Sequence, residues 1–187
     1  AQRAGMVATP ERAWSPEMLI PTDDLDESEV LFDLARQISR RTGGIRIVGM
    51  RADADLEMEL MERAEAFRLA GCATTATVID GGGFAQGCCT VIDAMRGMFM
   101  GPNLVLLNGA QQDEKVLQIV VDHCHARGVG MGVFLPHPDG ALGRAQQITV
   151  WLSERSPDWA LNMHNANLDL PVLIGYLLGS QAGSSLR

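Results

Sequence analysis

Short apolar segments alternate with amphipathic segments along most of this chain. Apolar residues that recur three or four positions apart predict helices, the first carrying Val30 to Ile38 on one face and the others covering 55–70, 84–98 and the stretch that ends at Gly128. Continuous apolar runs, several of them rich in β-branched residues, predict strands between these helices. The predicted strands lie near 18–20, 45–50, 72–79, 104–107 and 129–135.

This alternation of strands and helices predicts the α/β fold class. Strands that are apolar throughout are typical of a parallel sheet covered on both faces. Right-handed crossovers then give three layers, doubly wound, with the strand order 3-2-1-4-5, an architecture shared with universal stress proteins. We expect a sixth strand at 148–152 to join an edge of the sheet, followed by a C-terminal helix. One domain is predicted over 14–180, with flexible ends at 1–13 and 181–187.

The most membrane-like stretch is Leu170 to Leu178, which carries no charge. It has about half of the ~20 residues that a spanning helix needs, and it contains Pro171. We therefore expect a helix packed on the sheet and no direct insertion into a membrane. The apolar surface of this helix extends almost all round, which indicates that a partner covers the side that the sheet does not. Leu177→Asp should therefore destabilise the domain or disrupt self-association. The candidate self-association residues are Tyr176, Leu177 and Leu178.

The charge and cysteine content argue against several classes of protein. The 187 residues carry a formal net charge of −8, which opposes binding to nucleic acid and to an anionic membrane surface. The four cysteines form no C-x-x-C pair, which is typical of a reduced, cytosolic chain. The N-terminal segment lacks the apolar core of a signal peptide, and the absence of an initiator Met suggests a fragment of a longer protein.

Three motifs that could carry chemistry have simpler structural interpretations. Glycines 81–83 resemble a phosphate loop but follow the third strand instead of the first, which favours a tight turn. The histidines and cysteine of "DHCHARG" (122–128) are consecutive, and neighbours on a regular helix cannot share one metal ion. Cys88 and Cys89 could form a redox pair, but Cys88 lies on the apolar face of its helix. We therefore predict no catalytic residue, no cofactor and no metal site.

Two other functions are compatible with this architecture. A stand-alone nucleotide-binding domain of the universal stress type would need a glycine-rich phosphate loop after the fourth strand, where the chain has "NGAQQDEKV" (108–116), with one glycine and two acids. The acidic "PTDDLDES" (21–28) after the first strand opposes phosphate as well. A small hydrolase would need a nucleophile beside a base, and no such constellation stands out in the sequence.

Several dispersed segments resemble the cytoplasmic C-terminal domain of the cation–chloride cotransporter family. These segments are "TGGIRIVG" (42–49), "PNLVLLNGAQ" (102–111), "ITVWLSE" (148–154) and "NLDLPVLIGYLL" (167–178). The usual double Trp of the family is reduced to Trp151 and Leu152, and its long insertion is absent, which indicates a compact prokaryotic-type member. The family-motif residues, to which we assign a structural role, are Pro102, Asn103, Trp151, Leu168, Leu173, Tyr176 and Leu177.

The resemblance implies a non-catalytic cytoplasmic domain that regulates a membrane cotransporter and associates with a second copy of itself. The parent protein of such a domain moves chloride together with sodium or potassium. The implied partners are the transmembrane core of the same transporter and a homodimer mate, and the implied location is the cytoplasmic face of the cell membrane. In this family the chain continues beyond the present one into a second α/β half.

Overall fold

The computed structural model describes residues 15–39, 43–98, 100–135, 147–149, 166–182 and 185–186. Strands and helices alternate through the first five strands, as the hydrophobic pattern predicts. The strands are β1 (Glu17–Thr22), β2 (Gly44–Gly49), β3 (Ala73–Val78), β4 (Leu104–Asn108), β5 (Gly130–Phe134), β6 (Gln147–Ile148) and β7 (Ser185–Leu186). The helices are α1 (Glu29–Ser39, preceded by a 3₁₀ turn over Asp26–Ser28), α2 (Ala54–Leu69), α3 (Phe84–Met95), α4 (Glu114–Arg127) and α5 (Ala166–Ala182).

Strands β1 to β5 form one parallel sheet with the order β3-β2-β1-β4-β5, which confirms the predicted fold class and strand order. Ile20 lies opposite Ile47 on one side of β1, and Met18 lies opposite Leu104 on the other. The direction of winding reverses between β1 and β4. After this reversal the chain adds strands on the opposite side of β1. Because the crossovers stay right-handed, the next helices then lie on the other face of the sheet.

Side chains that alternate along the strands build one hydrophobic core on each face of the sheet. Met18 and Ile20 of β1 join the core beneath α1 and α2, whereas Leu19 joins the core beneath α3 and α4. Helices α1 to α4 are therefore distributed two and two, and their apolar stripes contribute to the two cores. The first core receives Leu31, Phe32, Leu56, Leu60 and Phe67 from α1 and α2, and the second receives Cys88, Val91, Ile92, Val120 and Cys124 from α3 and α4.

Helix α5 covers part of the face on which α1 lies. Ile174, Leu177 and Leu178 are half-buried or less exposed and pack against the first core, and α5 contacts α1 directly. Gly175 and Gly179, one turn apart, are buried as well. The apolar C-terminal stretch is thus a helix that completes a layer of the α/β fold. None of the described helices has the length and hydropathy that crossing a membrane requires.

One expectation about the C-terminal region differs from the structure. The strand predicted at 148–152 does not join the main sheet over its described part: Gln147–Ile148 pairs in parallel with Ser185–Leu186 in a separate two-stranded sheet. Residues 150–152 lie outside the described residues. The apolar, β-branched composition of this segment predicts a strand but does not specify its partner, which depends on where the chain returns in space.

Candidate functional site

The crevice between β1 and β4, where the strand order reverses, is the usual ligand position in doubly wound sheets. Here polar groups from the strand ends and the loops after them bond one another. Thr22 Oγ1 lies 2.8 Å from Ser28 Oγ, and Ser28 Oγ donates a longer bond of 3.5 Å to Gln111 Oε1. Asn108 Nδ2 donates to the carbonyl oxygen of Glu27 at 2.7 Å. We call these five residues the switch-point plug, because groups that would face a ligand bind each other instead.

A small cleft of about 170 Å³ opens beside the plug, at the carboxyl ends of β1 and β2. Its lining carries six carboxylates and a single guanidinium, that of Arg51, so its electrostatic potential opposes a phosphate group. Asp53 Oδ1 already accepts hydrogen bonds from the backbone N–H groups of Asp55 and Leu56, which caps α2. The lining residues are Asp23, Asp24, Leu25, Asp26, Arg51, Asp53, Asp55, Leu56 and Glu59.

Asp23 is partly buried at the wall of this cleft. Burial raises the pKa of Asp23 because it disfavours the charged form, and the nearby Arg51 partly opposes that rise. Across the described residues, no group of three or more His, Cys, Asp or Glu side chains is arranged to hold a metal ion. The cleft is therefore a solvated acidic surface next to a helix cap.

The glycine loop before α3 has the geometry of a tight turn. Gly82 and Gly83 have φ angles of 68° and 127°, which L side chains rarely adopt. A Cβ added to Gly81 would lie 2.5 Å from the Cα of Gly87, so this approach of loop to helix needs a glycine. These steric requirements account for the glycines of the turn.

The histidines and cysteines of α3 and α4 lie in separate environments. His123 Nε2 lies 3.2 Å from Asp93 Oδ1, and Arg127 Nε donates to the same oxygen at 2.6 Å, which links the two helices. The hydrogen bond from Arg127 is the main cause of the lowered pKa of Asp93. Cys124 is buried, and burial raises the pKa of its thiol to about 11. Burial also raises the pKa of the Cys88 thiol far above its usual range, so both thiols are protonated at neutral pH.

The Pro102–Asn103 motif lies at the opposite edge of the sheet, which we call the amino edge because the strands begin there. Asn103 Oδ1 accepts the backbone N–H of Glu17 at 2.9 Å, and Asn103 Nδ2 donates to the carbonyl oxygen of Ser15 at 2.7 Å. The backbone of Asn103 also donates to the Glu17 carbonyl and accepts from Gly130, both at 2.9 Å. One residue thus connects the starts of β1, β4 and β5, while Pro102 beside it is buried.

The remaining motif residues do not converge on this point. Leu173 is half-buried in α5, Tyr176 is 63% exposed, and Leu177 packs against the first core with Leu178. Leu168 belongs to α5, but its side chain lies outside the described residues, as does Trp151 altogether. The described motif residues therefore lie at two positions, the amino edge and α5.

The sequence interpretation missed an ion pair at the amino edge. Arg46 Nη1 donates to Glu17 Oε2 at 3.0 Å, and Arg46 Nη2 donates to the carbonyl oxygen of Met100. The side chain of Glu17 is only 9% exposed, and that of Arg46 only 18%. Single charged residues inside the apolar segments "EMLIPT" and "GIRIVG" were the available signal, because a buried charge needs a partner.

Two family models match consecutive parts of this sequence. Residues 20–142 match the first part of the prokaryotic cation-chloride cotransporter C-terminal domain, and residues 143–187 match its second part. The chain belongs to the prokaryotic cation-chloride cotransporter family. Its sequence is thus that of the C-terminal domain, and the resemblance stated from the dispersed motifs is confirmed. No curated protein sequence matches the chain significantly.

Solved structures support the assignment to the cotransporter family. The cytoplasmic domain of a prokaryotic cation chloride cotransporter matches with a TM-score of 0.79 and 26% sequence identity, over 92% of this chain and 65% of that one. The present chain thus spans about 65% of the length of that relative. A putative fructose-1,6-biphosphate aldolase from Coccidioides immitis also matches, with a TM-score of 0.26 and 17% identity, over 64% of this chain and 46% of that one.

Proposed function

We propose that this chain is a non-catalytic, regulatory domain on the cytoplasmic face of a membrane cation–chloride cotransporter. The two consecutive family matches over 20–187 carry the proposal. The parent protein would move chloride together with sodium or potassium. The transmembrane core of that transporter would be the partner of this domain, and residues 14–180 would fold as one unit.

The polar contacts at the usual ligand position of this fold favour a non-catalytic role. The polar groups of the switch-point plug bond one another at the crevice between β1 and β4, and the neighbouring cleft is acidic. We therefore expect no increase in the melting temperature with ATP at millimolar concentration, because a phosphate chain would meet carboxylates there. Differential scanning fluorimetry with and without ATP measures this. A rise of several degrees would instead favour a nucleotide-binding domain of the universal stress type.

Helix α5 supports the proposal that the domain self-associates as a homodimer. Leu177 and Leu178 pack against the first core, whereas the aromatic ring of Tyr176 on the same helix is 63% exposed. Tyrosine is enriched among residues that contribute most to protein interfaces, since it buries a large area with few rotatable bonds. Tyr176 is therefore the member of the proposed self-association set that is available to a second subunit.

Sedimentation equilibrium of the wild type and of Tyr176→Ser tests this interface. We expect the wild type to dimerise and the variant to have a dissociation constant about tenfold higher or more, which corresponds to ~1.4 kcal/mol, with an unchanged melting temperature for the monomer. Leu69→Ser is the matched control, because Leu69 is 81% exposed on α2. A monomeric wild type, or equal dissociation constants for Tyr176→Ser and wild type, would refute an interface at α5.

A further inference from the structure

Two exposed methionines lie at the amino edge, in the turn between α3 and β4. The side chains of Met98 and Met100 are 57% and 52% exposed. Backbone hydrogen bonds define the turn, from Met98 N to the Met95 carbonyl at 3.0 Å and from Gly101 N to the Met98 carbonyl at 3.1 Å. Arg46 also donates to the Met100 carbonyl. The two methionines are therefore presented from a backbone that is tied to the sheet.

The chain enters β1 beside this turn. Asn103, three residues after Met100, donates from Nδ2 to the carbonyl oxygen of Ser15, just before β1 begins. Glu17, the first residue of β1, pairs with Arg46, whose guanidinium also holds the turn. The apolar turn and the start of the domain thus belong to one hydrogen-bonded network. On the proposed function, the chain that precedes this domain would come from the membrane part of the transporter.

The charges of the described residues differ between the two edges of the sheet. At the carboxyl edge, where the helices begin, acids outnumber bases, and an anionic leaflet would repel this edge. The acids there are Asp23, Asp24, Asp26, Glu27, Glu29, Asp53, Asp55, Glu57, Asp80, Asp113 and Glu114, against Arg51 and Lys115. At the amino edge the helix ends carry Arg36, Arg68, Arg96 and Arg127, and β2 contributes Arg46. Four of these arginines form ion pairs with acids, so this edge is close to neutral and would not be repelled as the carboxyl edge would; the paired acids are Asp33, Glu65, Asp93 and Glu17.

We propose that the amino edge faces the membrane and that Met98 and Met100 contact lipid at the boundary between headgroups and acyl chains. This orientation rests on the proposed function, since it requires that the preceding chain is membrane-bound. Two half-exposed methionines bury too little apolar area to bind a bilayer from solution. Tethering by the preceding chain raises the effective concentration at the surface enough for so weak a contact to form.

Methionine oxidation provides a test with an internal reference. Met58 and Met61 on α2 are 58% and 55% exposed, which closely matches Met98 and Met100. The chain is tethered through an N-terminal His-tag to phosphatidylcholine vesicles that contain a nickel-chelating lipid, then treated briefly with dilute hydrogen peroxide. Mass spectrometry gives the oxidation rate at each methionine, for the tethered chain and for the same chain free in solution at equal concentration.

We expect tethering to slow oxidation of Met98 and Met100 about threefold or more, and to leave Met58 and Met61 unchanged, because oxidation follows solvent exposure. An unchanged ratio between the two pairs, or equal protection of all four methionines, would overturn the proposed orientation. Sedimentation of the same protein reports separately on self-association. Loss of the methionine protection with dimerisation intact would refute the orientation alone, whereas a monomeric wild type would count against the proposed function.

Discussion

Replacing Leu177 by Asp is expected to lower the free energy of unfolding by about 2–4 kcal/mol. Leu177 packs against the first core together with Ile174 and Leu178. A carboxylate at this position would lose that apolar contact and would be partly desolvated beside α1. Since α5 completes the layer that covers this face, its displacement would also expose the core beneath it. Urea or thermal unfolding of the variant and the wild type, followed by circular dichroism, measures the difference.

Leu69→Asp is the matched control for this prediction. The same chemical change occurs there on an 81% exposed side chain at the end of α2. We expect an effect of roughly 0.5 kcal/mol, which is typical of surface positions. Equal stabilities for Leu177→Asp and Leu69→Asp would mean that α5 is not packed on the sheet as described. The comparison separates packing of Leu177 within the subunit from the contact between subunits proposed for Tyr176.

Replacing Asn103 by Ala should lower the free energy of unfolding by about 2–3 kcal/mol. Two hydrogen bonds are lost, one to the backbone of β1 and one to the backbone of the segment just before it. The backbone N–H of Glu17 and the carbonyl of Ser15 would both lose their side-chain partner at the amino edge. Burial of the neighbouring strand ends hinders water from replacing the amide. Urea unfolding gives the loss of stability.

Amide hydrogen exchange locates the effect of Asn103→Ala within the sheet. Exchange at Glu17 N–H should accelerate, because its acceptor is the deleted side chain, while Gly130 N–H, bonded to the Asn103 backbone, should change less. Gln118→Ala removes an exposed amide that bonds Asp122 and is expected to cost less than ~0.5 kcal/mol. A loss as small as this for Asn103→Ala would argue against its role in joining three strands.

The strand order could be predicted from the sequence because it depends on features that the chain carries locally. Apolar strands separated by amphipathic helices require a parallel sheet, and the handedness of crossovers restricts the order of the strands. The glycines at 81–83 were likewise interpretable, since their position after the third strand instead of the first favoured a tight turn over a phosphate loop. The pairing of Gln147–Ile148 with Ser185–Leu186 was missed because a strand pattern contains no information on the partner.

The candidate site was likewise predictable from the sequence only in part. Pro102 and Asn103 were singled out through the resemblance to the cotransporter family, but the function of Asn103 as a connection between β1, β4 and β5 follows only from three strand ends that meet in space. Tyr176 and Leu177 were grouped because they are neighbours on an apolar helix. The packing of α5 separates them, with one ring exposed and one side chain against the core.

The sequence by itself determined the layers, the strand order and the family, because hydrophobic periodicity, crossover handedness and motif order are properties of a linear chain. The tertiary structure decided which polar groups meet. Glu17 and Arg46 are 29 residues apart, and they pair because their strands are adjacent. The switch-point plug joins residues up to 83 positions apart, such as Ser28 and Gln111. Such contacts depend on distances of a few ångströms between remote segments, and only the folded chain sets those distances.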